Sequence, residues 1–278
     1  AEYKKKPGSL ILFILVHLAT LITVLSIGFL LVYVLVKGIP NLNADIFSWE
    51  YTSDNCSLVP ALINTVYMTL LSLLIAGPIG IFAAIYLVEY AKTGNKLVGV
   101  VRITAETLTG IPSIVYGLFG MLFFTNACGL RLSLISGALT LSIMVLPVIM
   151  RTTEEALMAV PKSYREGSFG LGAGRLRTVF KVVLPSAVPG ILSGIILATG
   201  RIVGETAALI YTAGSVAKMA TSLTDSTRTL AVHMYLLSKE GLHTDQGYAT
   251  AVVLLVLVVL INFASDKIAG KVAADKAN

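Results

Sequence analysis

The sequence predicts an all-α polytopic membrane protein, with six transmembrane helices and one structured cytoplasmic loop. Three observations predict it. First, 56% of the 278 residues are hydrophobic and only 13% are charged, with a mean hydropathy of +0.85. A soluble domain is usually about a quarter charged. Second, the chain alternates between polar connections and apolar runs long enough to cross a bilayer. Third, its basic residues are segregated. Fifteen Lys and Arg fall on one set of connections: Lys4, Lys5, Lys6, Lys92, Lys96, Arg102, six between 151 and 185, and Lys267, Lys271 and Lys276. The other set holds five, Lys37, Arg131, Lys218, Arg228 and Lys239. Positive segments stay inside, so both termini are expected in the cytoplasm.

Residues 1–8 read as a basic leader and 10–36 as an uncharged first span. Its lone His17 has no second ligand nearby and reads as a helix-face residue. Residues 37–59 form an outer loop, in which Trp49 and Tyr51 suit the membrane interface. A second span covers 60–87, interrupted by Gly77-Pro78 and Gly80, and an inner turn follows from Glu89 to Lys96. The third span starts irregularly. Arg102 and Glu106 stand one helical turn apart and read as an interface-anchoring pair, and Gly110 and Pro112 should kink the segment, which ends near Phe124. After a tight outer turn at 126–131, the fourth span runs from 132 to 150 and stops at Arg151. The fifth is expected over 188–213, a polar outer excursion over 214–246, the sixth over 247–264, and a charged tail from Asp266.

The most informative stretch is the polar interruption Arg151–Pro185. It carries six basic residues (Arg151, Lys162, Arg165, Arg175, Arg177, Lys181) and three acidic ones (Glu154, Glu155, Glu166). Ser163 with Glu166 three residues on fits a capping box at the start of a short helix. Gly170, Gly172 and Gly174 tolerate positive φ and should end it. A second helical stretch, Arg175–Val183, should stop at Pro185. A helix, a glycine turn and a helix make a knob suited to docking into another protein.

Within the fifth span, Arg201 and Glu205 are spaced to pair on one helix face. Charges at that depth face a bundle interior or a wet cavity. Two readings stay open: the pair pins neighbouring helices, or Arg201 offers an anion a cationic step while Glu205 limits how tightly it is held. Gly190/Gly194 and Gly200/Gly204 repeat at a spacing that lets helices approach closely, and packing is the favoured reading.

Composition also excludes functions. The basic balance is explained by inner loops, and no aromatic-basic nucleic-acid motif is present. Cys56 and Cys128 lack metal-ligand spacing. Both are placed outside, as a disulfide or as two buried thiols. The first apolar run is too long for a cleavable signal peptide. No Gly-x-x-x-x-Gly-Lys-Ser/Thr loop is present, so ATP hydrolysis is not expected of this chain.

The 151–185 stretch resembles the cytoplasmic signature (the EAA motif) of permease subunits of ABC importers. Glu166-Gly167-Ser168, Gly172, Val182, Leu184 and Pro185 fall at that signature's spacings, with Gly167 and Ser168 replacing two alanines and Val182 an isoleucine. Three further stretches look like those of phosphate-importer permeases, A-type subunit: 77–90 (GPIGIFAAIYLVEY), 110–119 (GIPSIVYGLF) and 204–209 (GETAAL). The resemblance implies a type I ABC importer permease. The chain would then divide into a leader, first span and outer loop (1–59), a permease core with the coupling loop (60–265) and a tail (266–278). It further implies a second, homologous permease, two ATPase subunits holding ATP and Mg, and an external phosphate-binding protein. In that frame Glu166, Gly167, Ser168, Gly172, Leu184 and Pro185 couple to the ATPase, and Arg201 and Glu205 lie on the substrate path. Rival expectations are a permease for phosphonate, sulfate or molybdate, an ATP-independent carrier or channel, and a purely structural subunit.

Overall fold

The computed structural model describes residues 7–92, 94–241 and 243–274. The lysines at 4–6 and 276 lie outside them. Helix α1 (Pro7–Gly38) is followed by the loop to α2 (Val59–Ile85), which ends in a π-helical turn over Tyr86–Tyr90. Helices α3 (Lys96–Thr109) and α4 (Ser113–Gly120) follow, the latter extended by a π-helical stretch Met121–Ala127. Then come α5 (Leu134–Ala159), α6 (Lys162–Gly170), α7 (Arg175–Thr178), a π-helical turn Val179–Val183, α8 (Leu184–Val203), α9 (Ala207–Thr212), α10 (Leu230–Glu240) and α11 (Thr244–Ala274). Among the described residues five helices are long and apolar enough to cross a membrane, and the bent pair α3–α4 makes six.

The core forms around α5. In its most apolar stretch 67% of the residues are buried, against 0% for α1, which leans on α11 and keeps its apolar surface outward. Helix α5 packs along both α2 and α8, burying Leu141, Met144, Val145, Ile149 and Leu157. Two serines join α2 to α5: Ser142 Oγ donates to Ser72 O at 3.1 Å and Ser72 Oγ to Ala138 O at 3.4 Å. Close approach does the rest. A Cβ on Gly190 would meet Ala156 Cβ, and one on Gly194 would overlap Thr152. The packing expectation therefore holds for Gly190 and Gly194. It does not hold within this chain for Gly200 and Gly204, whose missing Cβ atoms face no other helix among the described residues.

Helix α2 runs unbroken through Gly77-Pro78 and Gly80, since a bundle re-satisfies the carbonyl a proline frees. The third span is broken rather than kinked, with its halves bent by 105°. Pro112 holds extended backbone (ψ 140°) and disfavours helix at Ile111 before it. Tyr116 Oη then donates to Leu108 O at 2.7 Å, beside the Ile111 N–H at 3.2 Å, and ties α4 back to the end of α3.

The fourth span continues past Arg151 to Ala159: a charge marks where a helix leaves lipid, not where it ends. Likewise Pro185 starts α8 instead of stopping a helix. The π-helical turn Val179–Val183 leads directly into α8, where helical bonding is already irregular and a missing N–H is accommodated, so Arg175–Val203 is one continuous 29-residue helical run. The fifth span then ends at Val203, not 213, because the chain breaks at Gly204–Thr206 before α9.

The expected polar excursion 214–246 is a packed part of the fold. Asn64 of α2 donates to Lys218 O (2.8 Å) and Arg228 O (3.3 Å) and accepts from Ala220 N (2.9 Å). Thr65 Oγ1 accepts from Leu230 N at 2.8 Å, satisfying an N–H at the start of α10. Leu230, Val232, His233 and Leu237 of α10 are buried. Tyr51 packs edge-on against His233, with its ring 4.6 Å from the Arg228 guanidinium, while Trp49 stays exposed. Cys56 is buried and Cys128 exposed, so neither expectation for the cysteines holds: no disulfide joins them, and they are not two buried thiols. His17 bonds within its own helix, Nδ1–H donating to Phe13 O at 2.8 Å.

Replacing Gly194 with Leu should destabilise the bundle by about 1–3 kcal/mol through overpacking against Thr152. Gly200→Ala, inside a helix with open space for its Cβ, should leave stability unchanged or raise it by up to about 1 kcal/mol. Thermal unfolding in detergent compares the two, and equal effects would remove the close-packing role of Gly194.

Candidate functional site

Two regions carry charge and open space, one at each end of α8. The first is the knob. Helix α6 begins after Pro161, which lies in extended backbone. Ser163 is inside the helix and makes no capping bond, so the capping box with Glu166 is not formed. Pro161 already sets the start of the helix from the N-cap position, where it offers no side-chain acceptor. The turn after α6 is made by Gly172 at φ +80°, a conformation that favours glycine. Gly170 remains helical and Gly174 is extended. Ser168 Oγ lies 2.8 Å from Thr178 Oγ1 and closes α6 onto α7.

Charge holds the knob to the bundle. Arg165 Nη2 and Nε lie 2.7 and 3.1 Å from Glu89 Oε1. Its Nη1 and Nη2 also donate to Val160 O and Leu157 O, each at 2.8 Å. Both carbonyls lie at the end of α5, where intrahelical donors run out, and Leu157 O also accepts from Val160 N at 3.4 Å. Arg165 and Glu89 border a groove of about 840 Å³ with Glu166, Phe169 and Arg175. Arg175 also lies 5.3 Å from the centre of the Tyr90 ring. The outward surface is apolar: Leu171 is 91% exposed and Leu176 66%, beside Tyr164 and Phe169. The predicted coupling residues thus divide. Glu166 and Gly167 are exposed, Ser168 and Gly172 shape the turn, and Leu184 and Pro185 are half-buried where α8 begins.

Next to the knob, Arg102 and Glu106 do not form a local pair. Arg102 bonds Glu154 of α5, and Glu106 lies 3.8 Å from Arg151, which also bonds Glu155 at 3.1 Å. The 105° bend turns α3 against α5, and these charges line a cavity of about 250 Å³ with Pro147 and Met150.

The second region is the break after α8. Arg201 and Glu205 do not pair, because the helix ends between them. The Glu205 carboxylate instead accepts from Ala208 N at 3.0 Å and caps α9. Among the described residues no carboxylate lies within 4.0 Å of Arg201. Half-buried, Arg201 lines an open cleft of about 600 Å³ with Ser193, Ile196, Leu197, Gly200 and Asn262. The stretches 110–119 and 204–209, far apart in sequence, meet here. A Cβ on Gly117 would overlap Ala208, and one on Gly120 would overlap Thr140 and Thr212.

A scan of family models matches residues 76–274 to "binding-protein-dependent transport system inner membrane component". The chain belongs to this family of ABC importer permeases. It is 33% identical over 270 residues to a probable ABC transporter permease, YqgI, of Bacillus subtilis (strain 168), covering 89% of this chain and 90% of that one. To the phosphate transport system permease PstA of Xylella fastidiosa (strain 9a5c) it is 40% identical over 179 residues, covering 64% of this chain and 62% of the relative. PstA 2 of Mycobacterium tuberculosis (strain CDC 1551 / Oshkosh) is 34% identical over 238 residues, with 84% and 78% covered. Among solved structures, an inward-facing MetNI methionine ABC transporter aligns with a TM-score of 0.59 at 25% identity over 75% of this chain and 93% of that one. A bacterial alginate ABC transporter aligns with 0.61 at 18% identity, covering 91% and 95%. The permease is therefore a transport subunit of the type I importer fold.

Sequence reasoning missed Glu89 and Arg165 as partners, since 76 residues separate them. It also missed His233 and treated Arg228 as a surface charge, although both are buried. Burial, with the Arg228 charge adding to it, pushes His233 down from 6.5 to about 3. The ring is neutral in the folded chain and takes a proton in the unfolded chain below 6.5. Its contribution to stability is complete above 6.5 and is lost as pH falls from there towards about 3. Thermal unfolding of the permease in detergent should therefore drop between about pH 7 and about pH 5, and His233→Gln should flatten that drop. An equally steep drop in the variant would assign the dependence to another group.

Proposed function

We propose that this permease translocates inorganic phosphate by alternating access. It does so with a homologous second permease, two ATPase subunits that hold ATP and Mg, and an external phosphate-binding protein. In this reading it lies in the cytoplasmic membrane with both termini and the knob inside. Arg201 carries the reading. It is a cation at the end of a membrane helix, facing an open cleft, with its neighbouring carboxylate turned away to cap α9. A guanidinium left without a carboxylate suits an anionic cargo. Relatives described as phosphate transport permeases, at 34% and 40% identity, support phosphate over other oxyanions. Glu205 sets the geometry of the break and keeps one negative charge near the path, so that Arg201 releases what it binds.

At the other end, the exposed apolar knob is the surface an ATPase grips. Closure of the two ATPases moves the knob and rocks the helices around the cleft. Glu166, Gly167, Ser168, Gly172, Leu184 and Pro185 serve this coupling. Glu166 and Gly167 face the partner. Ser168 and Gly172 fix the shape presented, and Leu184 and Pro185 join that shape to α8.

Affinity purification in mild detergent should bring down a second permease and two ATPases. Binding-protein-dependent uptake should be competed by phosphate but not by phosphonate, sulfate or molybdate. Uptake by the purified chain alone, without an ATPase, would point to a carrier instead. Arg201→Ala should abolish phosphate uptake while leaving membrane insertion and complex yield unchanged, and wild-type uptake would take Arg201 off the path. Gly172→Val places a β-branched residue at φ +80°, where the strain is about 1–3 kcal/mol. ATP hydrolysis should then continue while uptake falls, and normal coupling would rule out a role for the turn.

A further inference from the structure

Helix α6 is held between two non-helical joints. Before it, Val160 and Pro161 are extended (ψ 126° and 138°). After it, the chain turns at Gly172 with φ +80°. None of its own residues is buried, so α6 has no apolar seat in the bundle. Its apolar side chains Tyr164 and Phe169, and Leu171 just beyond, point outward. Among the described residues, two α6 side chains make hydrogen bonds. Ser168 reaches α7 within the knob, and Arg165 reaches the spans.

Arg165 binds two helices at once. It donates to the last carbonyls of α5, Leu157 O and Val160 O, each at 2.8 Å. Through Nε and Nη2 it also holds Glu89 in the π-helical turn that ends α2, at 3.1 and 2.7 Å. The side chain of Glu89 is 8% exposed and that of Arg165 18%, so solvent screens the pair little. A planar guanidinium with five donors can make these bonds simultaneously; an ammonium cannot.

We infer that Glu89 and Arg165 form the joint that transmits movement of the knob to α2 and α5. Both are positioning residues, which act through the helices they tie. The inference rests on the reading of the knob as the ATPase grip. A push on α6 reaches α8 along the covalent chain through α7. Towards α2 there is no covalent route, because the loop between α2 and α3 does not include α6. The Glu89–Arg165 bond supplies that route. Without it, α6 would swing on its two joints, and the end of α2 would follow the knob only through its packing on α5 and α8.

The test uses the complete importer, reconstituted with its binding protein in phospholipid vesicles, and measures ATP hydrolysed per phosphate imported. Glu89→Gln keeps the shape and removes the charge. It should assemble in wild-type yield and hydrolyse ATP within about twofold of wild type, while ATP consumed per phosphate rises about tenfold. Glu89→Asp, which restores the carboxylate, should bring the ratio back to within about threefold of wild type. Should Glu89→Gln fail to assemble, Arg165→Lys carries the same test, because it keeps the charge and loses the fork. An unchanged ratio overturns the inference even if uptake falls in step with the amount of complex, since that is the mark of a pair that only holds the fold. Failure of both variants to assemble counts against it for the same reason. Failure of the underlying reading is a separate result, seen when the unmutated chain brings down no ATPase at all.

Discussion

Lipid offers no hydrogen bonds to a broken helix, and most of this fold is explained by how the chain meets that constraint. Several interruptions near the spans are met by side chains from specific places, besides local backbone bonds. Tyr116 donates to the Leu108 carbonyl where α3 gives way to α4. Glu205 takes the Ala208 N–H where α8 gives way to α9. Asn64 serves three backbone groups of the 218–228 segment, and Thr65 one at the start of α10. Arg165 takes the final carbonyls of α5. An unsatisfied buried group costs about 1–3 kcal/mol, so these partners fix where the helices are allowed to break.

The same constraint explains why charged groups stand at the breaks. A continuous span presents only side chains to its surroundings, whereas a break turns chain direction and exposes a helix end. Arg201 stands in the last turn before such a break. Glu205 is spent on the backbone of α9, and that leaves Arg201 without a carboxylate. The close contacts of Gly117 with Ala208 and of Gly120 with Thr140 and Thr212 seat α4 and α9 against each other. The two interrupted spans therefore meet, beside the open cleft that Arg201 at the end of α8 lines.

What was legible in the sequence follows from range. The spans were visible because hydropathy is a sum over about twenty neighbours, and the knob was visible because glycine and proline act locally. Gly190 and Gly194 were read correctly from spacing alone. The errors arose where a local signal met a distant partner. Arg102 and Glu106 have the spacing of a helix pair, but the 105° bend brings Glu154 and Arg151 of α5 within reach. Arg201 and Glu205 have it too, but Gly204 lets the helix end between them. Arg151 looked like the end of a span because a charge leaves lipid there, yet the helix carries on in water and protein to Ala159. Glu89 and Arg165, 76 residues apart, share no periodicity, and only the folded chain pairs them. Helix α10 was hidden because its buried run is too short to stand out from a polar segment.

The continuity of α8 through Pro185 decides how the two ends of the molecule communicate. Had the proline stopped the helix, the knob would hang from the bundle by a flexible joint. Instead, residues 175–203 form one 29-residue helix, about 40 Å long at 1.5 Å per residue, whose last turn carries Arg201. Glycines 190 and 194 press this rod against α5 near its middle, which acts as a fulcrum. In the proposed reading, displacement of the knob end then tilts the far end, and the break at Gly204 lets Arg201 move without dragging α9 from its seat on α4. A rod with a fulcrum and a free end carries a small push over this distance without any pathway of rearranging side chains. The exposed leucines at 171 and 176 supply the other requirement. In the same reading, these exposed leucines are the apolar surface that a partner covers when it grips the knob.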